Sequence, residues 1–275
     1  MSTDFHLGIP KATQAGPLSG KHVLITRPVM PASRTAQRLA ALGATPYVFP
    51  TTIIEPPADS APLAAAMSRL DHYYAAIFVS PSAVEMTLAP MGIQPRTVPT
   101  QLQVFAPGPG TAEALNLLGV SSVLIPETSF DSDGLLALEA LSAKQVSGKR
   151  VAIFRGNDGR EVLRDELTKR GASVEAITAY HRRAPKTPPT GLLELLARGE
   201  INAISAMSSD AIENLMTLLS GSKQAAATLN LPLYASHPRI AETAKAAGFR
   251  NVIETQAGDA GLITSLLANK NVERV

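Results

Sequence analysis

Ser147-Gly148-Lys149-Arg150-Val151-Ala152-Ile153-Phe154-Arg155 repeats Ser19-Gly20-Lys21-His22-Val23-Leu24-Ile25-Thr26-Arg27 at an offset of 128 residues, the distance from Gly20 to Gly148. Without a gap, the same offset places Leu39 on Leu167, Gly43-Ala44 on Gly171-Ala172 and Pro57 on Pro185. Two stretches aligned over this length must share a structure. Val23-Leu24-Ile25 and Val151-Ala152-Ile153 are short apolar runs, the signature of strands buried on both faces. A polar turn follows each, then helical spacing at Ala36, Leu39 and Ala40 or at Val162, Leu163 and Leu167. Gly43 or Gly171 ends the helix, where a left-handed cap suits glycine. A second apolar stretch, Tyr47 to Phe49 or Val174 to Ile177, completes a strand-helix-strand unit.

The remainder of the chain repeats too. Tyr74 to Val79 reads as a buried strand ending in Ser80-Pro81-Ser82, before a helix starting near Ala83. At the same offset Ser208 matches Ser80, Ala211 matches Ala83 and Glu213 matches Glu85. Leu102 to Ala106 reads as a strand that runs into Gly108-Pro109-Gly110-Thr111 and a helix over Ala112 to Leu118. There Ala106 pairs with Ala235, Pro109 with Pro238 and Gly119 with Gly248, one residue further apart than before. Gly134-Leu135 matches Gly261-Leu262. Elements that keep their spacing within one residue indicate duplication. Strands alternating with helices predict an α/β fold with parallel sheets covered on both faces. Pro50 to Pro57 and Thr178 to Pro185 read as linkers, because a proline disfavours helix at the residue before it. Residues 1–18 show no period and read as a flexible extension. Duplication alone would divide the chain near Gln145.

Composition narrows the class of function. The 275 residues are 45% hydrophobic and 17% charged, which suits two ordinary globular cores. The absence of cysteine excludes disulfides and thiolate metal sites. No leader and no apolar run of membrane-spanning length is apparent, so a cytoplasmic protein without a membrane partner is expected. A net charge of +2 is too small to imply nucleic acid and compatible with an acidic small molecule.

In parallel sheets ligands bind beyond the carboxyl ends of the strands. That edge carries Arg27, Ser80, Ser82, Gly108, Gly110, Thr111, Arg155, Asn157, Ser208, Ser209 and Arg239. Serine before a helix is a preferred N-cap, and the same hydroxyl with free N–H groups suits a carboxylate. Arg27 and Arg155 are either solvated or poised to grip a carboxylate bidentately. Gly108 to Thr111 is either a tight turn with permissive backbone or an anion nest. It is no dinucleotide fingerprint, because Glu113 stands where the third glycine belongs. The five histidines show no metal-ligand spacing. His181-Arg182-Arg183 reads as wet surface. Tyr180 is either an amphipathic side chain packed at a domain junction or a phenol able to donate a proton to a leaving hydroxyl.

Val23-Leu24-Ile25-Thr26-Arg27-Pro28, Phe78-Val79-Ser80-Pro81-Ser82-Ala83-Val84, Gly108 to Leu115, Phe154-Arg155-Gly156 and Ala176-Ile177-Thr178-Ala179-Tyr180 together resemble the uroporphyrinogen-III synthase family, from about Gly20 to Leu267. The resemblance implies two similar flavodoxin/Rossmann-like domains with parallel sheets, joined by two extended crossing linkers. One domain would combine residues 20–50 and 184–267 and the other would span 53–182, with an extension over 1–19 and a tail over 268–275. It also implies a cofactor-free enzyme acting on hydroxymethylbilane, a linear tetrapyrrole bearing eight carboxylates; a monomer is expected. Water is lost and the last pyrrole ring inverted, with Tyr180 assisting departure of the hydroxyl and Thr111 at a polar substrate-facing position. Ser236-His237-Pro238-Arg239 departs from the threonine-rich turn common in relatives, so Arg239 is expected to substitute a charged contact. The competing reading is a two-domain binding module that closes on an anionic metabolite without turning it over.

Overall fold

A computed structural model describes residues 15–88, 98–157, 161–186 and 188–270. The chain divides into two compact units, Met1–Ile53 with Arg183–Val275, and Ile54–Arg182. In chain order the first unit opens with β1 (His22–Ile25), α1 (Val29–Ala41) and β2 (Thr45–Val48). Next come β3 (Ile53–Glu55), α2 (Ala61–Met67), β4 (Ala75–Phe78), α3 (Pro81–Thr87), β5 (Gln103–Phe105), α4 (Pro109–Leu117) and β6 (Val123–Leu124). α5 (Ser132–Leu136), α6 (Ala143–Val146), β7 (Arg150–Gly156), α7 (Val162–Lys169) and β8 (Ser173–Arg183) follow. The chain then returns to the first unit with α8 (Thr190–Ala197), β9 (Ala203–Ala206), α9 (Ser209–Leu219), α10 (Gln224–Thr228), β10 (Leu233–Ala235), α11 (Pro238–Ala246), β11 (Val252–Glu254) and α12 (Gly258–Lys270).

The first unit holds a five-stranded sheet in the order β11-β10-β9-β1-β2, its strand pairs parallel. Numbered within that unit the order is 5-4-3-1-2, the doubly wound layout of flavodoxin. The second unit's sheet runs β3-β8-β7-β4-β5-β6, and β5-β4-β7-β8 repeats β10-β9-β1-β2. Even the register is duplicated. Ala75 pairs with Val151 and Ala76 with Ala152, while Ala203 pairs with Val23 and Ile204 with Leu24. The segments read as linkers contribute β3 and the end of β8, and β3 is the edge strand hydrogen-bonded to β8.

Burial explains the continuous apolar runs. Val23 and Ile25 pack on one side of their sheet with Leu39 and Leu262, and Leu24 packs on the other with Ile204 and Leu215. Val151 and Ile153 likewise face Leu163 and Leu167, while Ala152 and Phe154 face Phe78 and Leu115. With both faces covered, no strand position is left for polar alternation. Gly43 (φ +89°) and Gly171 (φ +88°) make the matching left-handed caps, and a Cβ at either would stand 2.9 Å from the hydroxyl of Ser19 or Ser147. The duplicated Ser-Gly pair is therefore a packing contact as well as a turn.

Three expectations need correction at their edges. The extension does not reach Ser19: Leu18 is fully buried and its N–H donates to the Leu42 carbonyl at 2.8 Å, while residues 1–14 lie outside the described residues. α12 continues to Lys270 rather than yielding to a tail after Leu267. α3 and α4 start two or three residues earlier than their apolar spacing suggests, at Pro81 and Pro109. Proline suits the first helical position because the N–H it lacks would have no intrahelical partner there.

Candidate active site

A doubly wound sheet opens a crevice where two neighbouring strands send their connections in opposite directions. In the second unit those strands are β4, which leads to β5, and β7, which leads to β8. Ser80 follows β4, and Gly156 and Asn157 close β7. Beneath them Phe78 and Phe154 stack with centroids 4.8 Å apart, fixing the two strand ends side by side.

Ser80 caps α3, its Oγ accepting from the Ala83 N–H at 3.2 Å. The same Oγ lies 2.9 Å from the Tyr180 hydroxyl. Arg182 donates from Nη2 to that hydroxyl at 2.9 Å, with its guanidinium 5.5 Å from the Tyr180 ring centroid. Tyr180 itself is 0% exposed. A β-bulge brings it there: Arg155 pairs with Thr178 but Gly156 with Tyr180, so β8 carries one residue more than β7. The extra residue breaks the two-residue alternation and lets Ala179 and Tyr180 both turn into the same core. Gly156 makes room, since a Cβ there would approach Cε2 of the tyrosine ring to 2.9 Å. Asn157 locks the far side, donating its N–H to the Tyr180 carbonyl at 3.1 Å and accepting the Arg182 N–H on Oδ1 at 3.1 Å.

The structure thus brings Ser80, Asn157 and Tyr180 together. Asn157 acts as a brace through its amide oxygen. Ser82 and Thr111 are buried in the first turns of α3 and α4. Gly108 caps α4 with φ −176°, extended backbone open to any residue, and neither Gly108 nor Gly110 has a positive φ. The permissive-turn reading of that loop is therefore incorrect. What Gly108 accommodates is Phe130, whose Cβ would lie 3.0 Å from an added Cβ.

The corresponding crevice of the first unit lies between β1 and β9. Ser208 caps α9 as Ser80 caps α3, accepting from the Ala211 N–H at 3.2 Å. Ser209 is tied to Thr243 at 2.9 Å. Both strand-end arginines carry a carboxylate partner of their own. Arg27 reaches Asp259 at 2.7 Å and Thr35 at 3.0 Å, and Arg155 reaches Glu161 at 2.5 Å. Neither guanidinium is the solvated group or the open clamp that the sequence allowed. Arg239 is exposed, in the first turn of α11, where the His237 Nδ1 accepts its backbone N–H.

Sequence reasoning missed Arg182, Gly156 and Asp259 as members of these clusters. Arg182 is exposed, as its charged run suggests, and its only signal of a further role is that it lies two residues from Tyr180. Asp259 carried none, since its partners are more than two hundred residues away.

The family model described as uroporphyrinogen-III synthase HemD matches residues 33–264. The chain is 28% identical over 230 residues to the uroporphyrinogen-III synthase of Escherichia coli K12, covering 84% of this chain and 93% of that one. Against the enzyme of the same name from Synechococcus elongatus it is 31% identical over 207 residues, 74% and 76% of the two chains. A crystal structure of a mutant uroporphyrinogen III synthase from the extreme thermophile Thermus thermophilus superposes with a TM-score of 0.54 at 18% identity, covering 92% of this chain and all of that one, and supports the fold. An enzyme is favoured over a binding module without turnover. The chain belongs to the uroporphyrinogen-III synthase family.

Proposed function

We propose that the chain is a cofactor-independent cyclising lyase that converts hydroxymethylbilane to uroporphyrinogen III, with Tyr180 as the source of the proton that leaves with the hydroxyl. The observation carrying this assignment is the Tyr180 hydroxyl held 2.9 Å from Ser80 at the strand ends where an α/β sheet takes its ligand. Loss of the hydroxyl as water breaks the terminal C–O bond, and the pyrrole nitrogen lone pair compensates by forming an electrophilic azafulvene. Attack through the substituted carbon of the last ring gives a spiro intermediate that fragments and recloses with that ring inverted. A proton released on rearomatisation restores the enzyme, so acid and base balance over the cycle. Holding the chain in the one reactive conformation is the main task.

The substrate's carboxylates are spread along its length, which suits many weak anion sites better than one basic patch. The helix starts at Ser80 and Ser82 and at Gly108, Gly110 and Thr111 present main-chain N–H groups of this kind. In the first unit the helix start at Ser208 and Ser209 offers the same chemistry, and the exposed Arg239 adds a charged side chain. Arg27 and Arg155, neutralised by their own carboxylates, hold strand ends in place instead. We further assign a monomeric, cytoplasmic enzyme; among the described residues no helix is long and apolar enough to cross a membrane. The decisive measurement supplies purified protein with fresh hydroxymethylbilane and no additive, then oxidises and separates the products. Type III uroporphyrin is expected; type I alone rejects the assignment.

A further inference from the structure

Tyr180 cannot meet a substrate directly in this structure, because none of it reaches the surface. Ser80 does reach the surface, being only half-buried. Counting donors and acceptors leaves one arrangement of the hydrogen bonds between them that ends on a free proton at Ser80. A guanidinium has only donors, so the Tyr180 oxygen must accept from Arg182. The phenol hydrogen is then available to Ser80 Oγ. That oxygen has two lone pairs; in this arrangement one takes the Ala83 N–H and the other the phenol hydrogen. Its own hydrogen is left over, and it is the end of the chain that runs from Arg182 through Tyr180 to Ser80.

The duplicated half supplies an internal comparison. Ser208 caps α9 with the same 3.2 Å bond that Ser80 makes to α3, so capping needs nothing more than a serine and a helix start. At the 128-residue offset Tyr180 corresponds to Thr52, whose Oγ1 accepts from Asn214 Nδ2 at 3.2 Å. One of the two matched serines is therefore backed by a phenol and a guanidinium, which a cap does not require.

We propose that Ser80 is the catalytic residue that hands the proton to the departing hydroxyl, with Tyr180 and Arg182 as positioning residues that act through it. This rests on the reading of the chain as a hydroxymethylbilane cyclase. As the terminal C–O bond breaks, the Ser80 proton moves to the leaving oxygen, which departs as water, and the Tyr180 proton moves to Ser80 Oγ. The negative charge collects on the phenol oxygen, beside the Arg182 guanidinium. When the closing ring rearomatises, its proton returns along the same chain to Tyr180. A relay of this kind makes Ser80 the group nearest the reacting carbon even though its hydroxyl is not itself the ultimate acid.

The test compares Ser80→Ala, Ser80→Asn, Ser80→Thr, Tyr180→Phe and the Ser80→Ala/Tyr180→Phe double variant, each assayed for initial rate, KM and isomer ratio. General-acid assistance typically contributes a hundredfold or more, so Ser80→Ala and Ser80→Asn are expected to lose roughly a hundredfold in kcat with KM within about threefold. Asparagine also caps helices well, so Ser80→Asn separates the relay from the cap, and the melting-point loss in Ser208→Ala calibrates the cap alone. Ser80→Thr keeps a hydroxyl and is expected to retain at least about a tenth of the rate. Because the residues act in series, the double variant should be no slower than the slower single variant. A Ser80→Asn rate within about threefold of the unaltered protein, or multiplicative losses in the double variant, overturns the proposal. Those outcomes leave the function standing so long as the unaltered protein makes type III product; type I product from the unaltered protein removes the function and the relay together.

Discussion

The Arg27 guanidinium stands 2.7 Å from the Asp259 carboxylate across 232 residues of sequence, and Thr35 donates its hydroxyl to the same oxygen at 2.9 Å. Arg38 reaches the other oxygen at 3.3 Å. The carboxylate side chain is 5% exposed and Arg27 12% exposed, so the pair is largely withdrawn from water. It ties the end of β1 to the first turn of α12, where a carboxylate is also favoured by the helix dipole.

Removing one member of such a pair leaves the other charge buried without its counterpart. Asp259→Ala is expected to destabilise the first unit by about 3 kcal/mol, the low end of the usual range because Arg27 keeps some access to water. Urea denaturation followed by a probe in that unit measures it. A loss no larger than that of an exposed ion pair would show that Arg27 re-solvates freely.

Gly156→Ala places a methyl group 2.9 Å from one ring carbon of Tyr180 and 3.0 Å from the next. The ring is buried and held at its hydroxyl, so it has to tilt away from Ser80 or push the strand. Overpacking of this kind costs about 1–3 kcal/mol, but the expected signature is a drop in kcat larger than the stability loss accounts for. Urea titration beside steady-state kinetics tests this; unchanged turnover would detach the Gly156 clearance from function.

Gly108→Ala gives the opposite expectation. Its backbone is extended, so alanine is conformationally allowed and Phe130 need yield only a few tenths of an ångström. A stability change of about 1 kcal/mol or less is expected. A collapse of stability in a thermal melt would restore the idea of a loop that depends on glycine's freedom.

Near the start of β8, Glu175 accepts from the Tyr73 hydroxyl at 2.5 Å and from Arg69 at 2.6 Å. The Tyr73 hydrogen bond, followed by the charge of Arg69 and Arg150, holds its carboxyl below the usual range, while burial and the carboxylate push the Tyr73 phenol up. A depressed carboxyl contributes stability above its unfolded pKa of about 4.3, and the contribution is lost as pH falls through the folded value. A raised phenol contributes below about 10 and loses its share at higher pH. Glu175→Gln should therefore flatten both the acid and the alkaline limbs of melting temperature against pH. Limbs identical to those of the unaltered protein would mean the cluster is solvent-screened.

How far the chain was legible depended on the range of the signal. The offset of 128 residues, the apolar triplets and the capping glycines are local or repeated, and they locate the matching strand-helix units of both sheets. Ser80 and Tyr180 were singled out by the company of their neighbours in sequence. What escaped was non-local or irregular. The bulge at Gly156 arises between two strands, so neither strand alone announces it. Arg182 reads as surface and is exposed, and both its reach back to the Tyr180 hydroxyl and the carboxylates that occupy Arg27 and Arg155 are met only after folding.

The first unit is interrupted by the second, and that fixes an order of events at the ribosome. Thr26 and Ser205, joined by a hydrogen bond where β1 meets β9, are 179 residues apart. At ordinary bacterial or eukaryotic elongation rates, β1 waits roughly ten to thirty-five seconds for its neighbour to be synthesised. The uninterrupted span Ile54–Arg182 has its partners at hand throughout that interval. Stalled nascent chains long enough to carry Arg182 clear of the ribosome exit tunnel should accordingly yield a protease-resistant core from Ile54 onward, while Val23, Leu24 and Ile25 remain cleavable and in need of chaperone cover until translation nears its end.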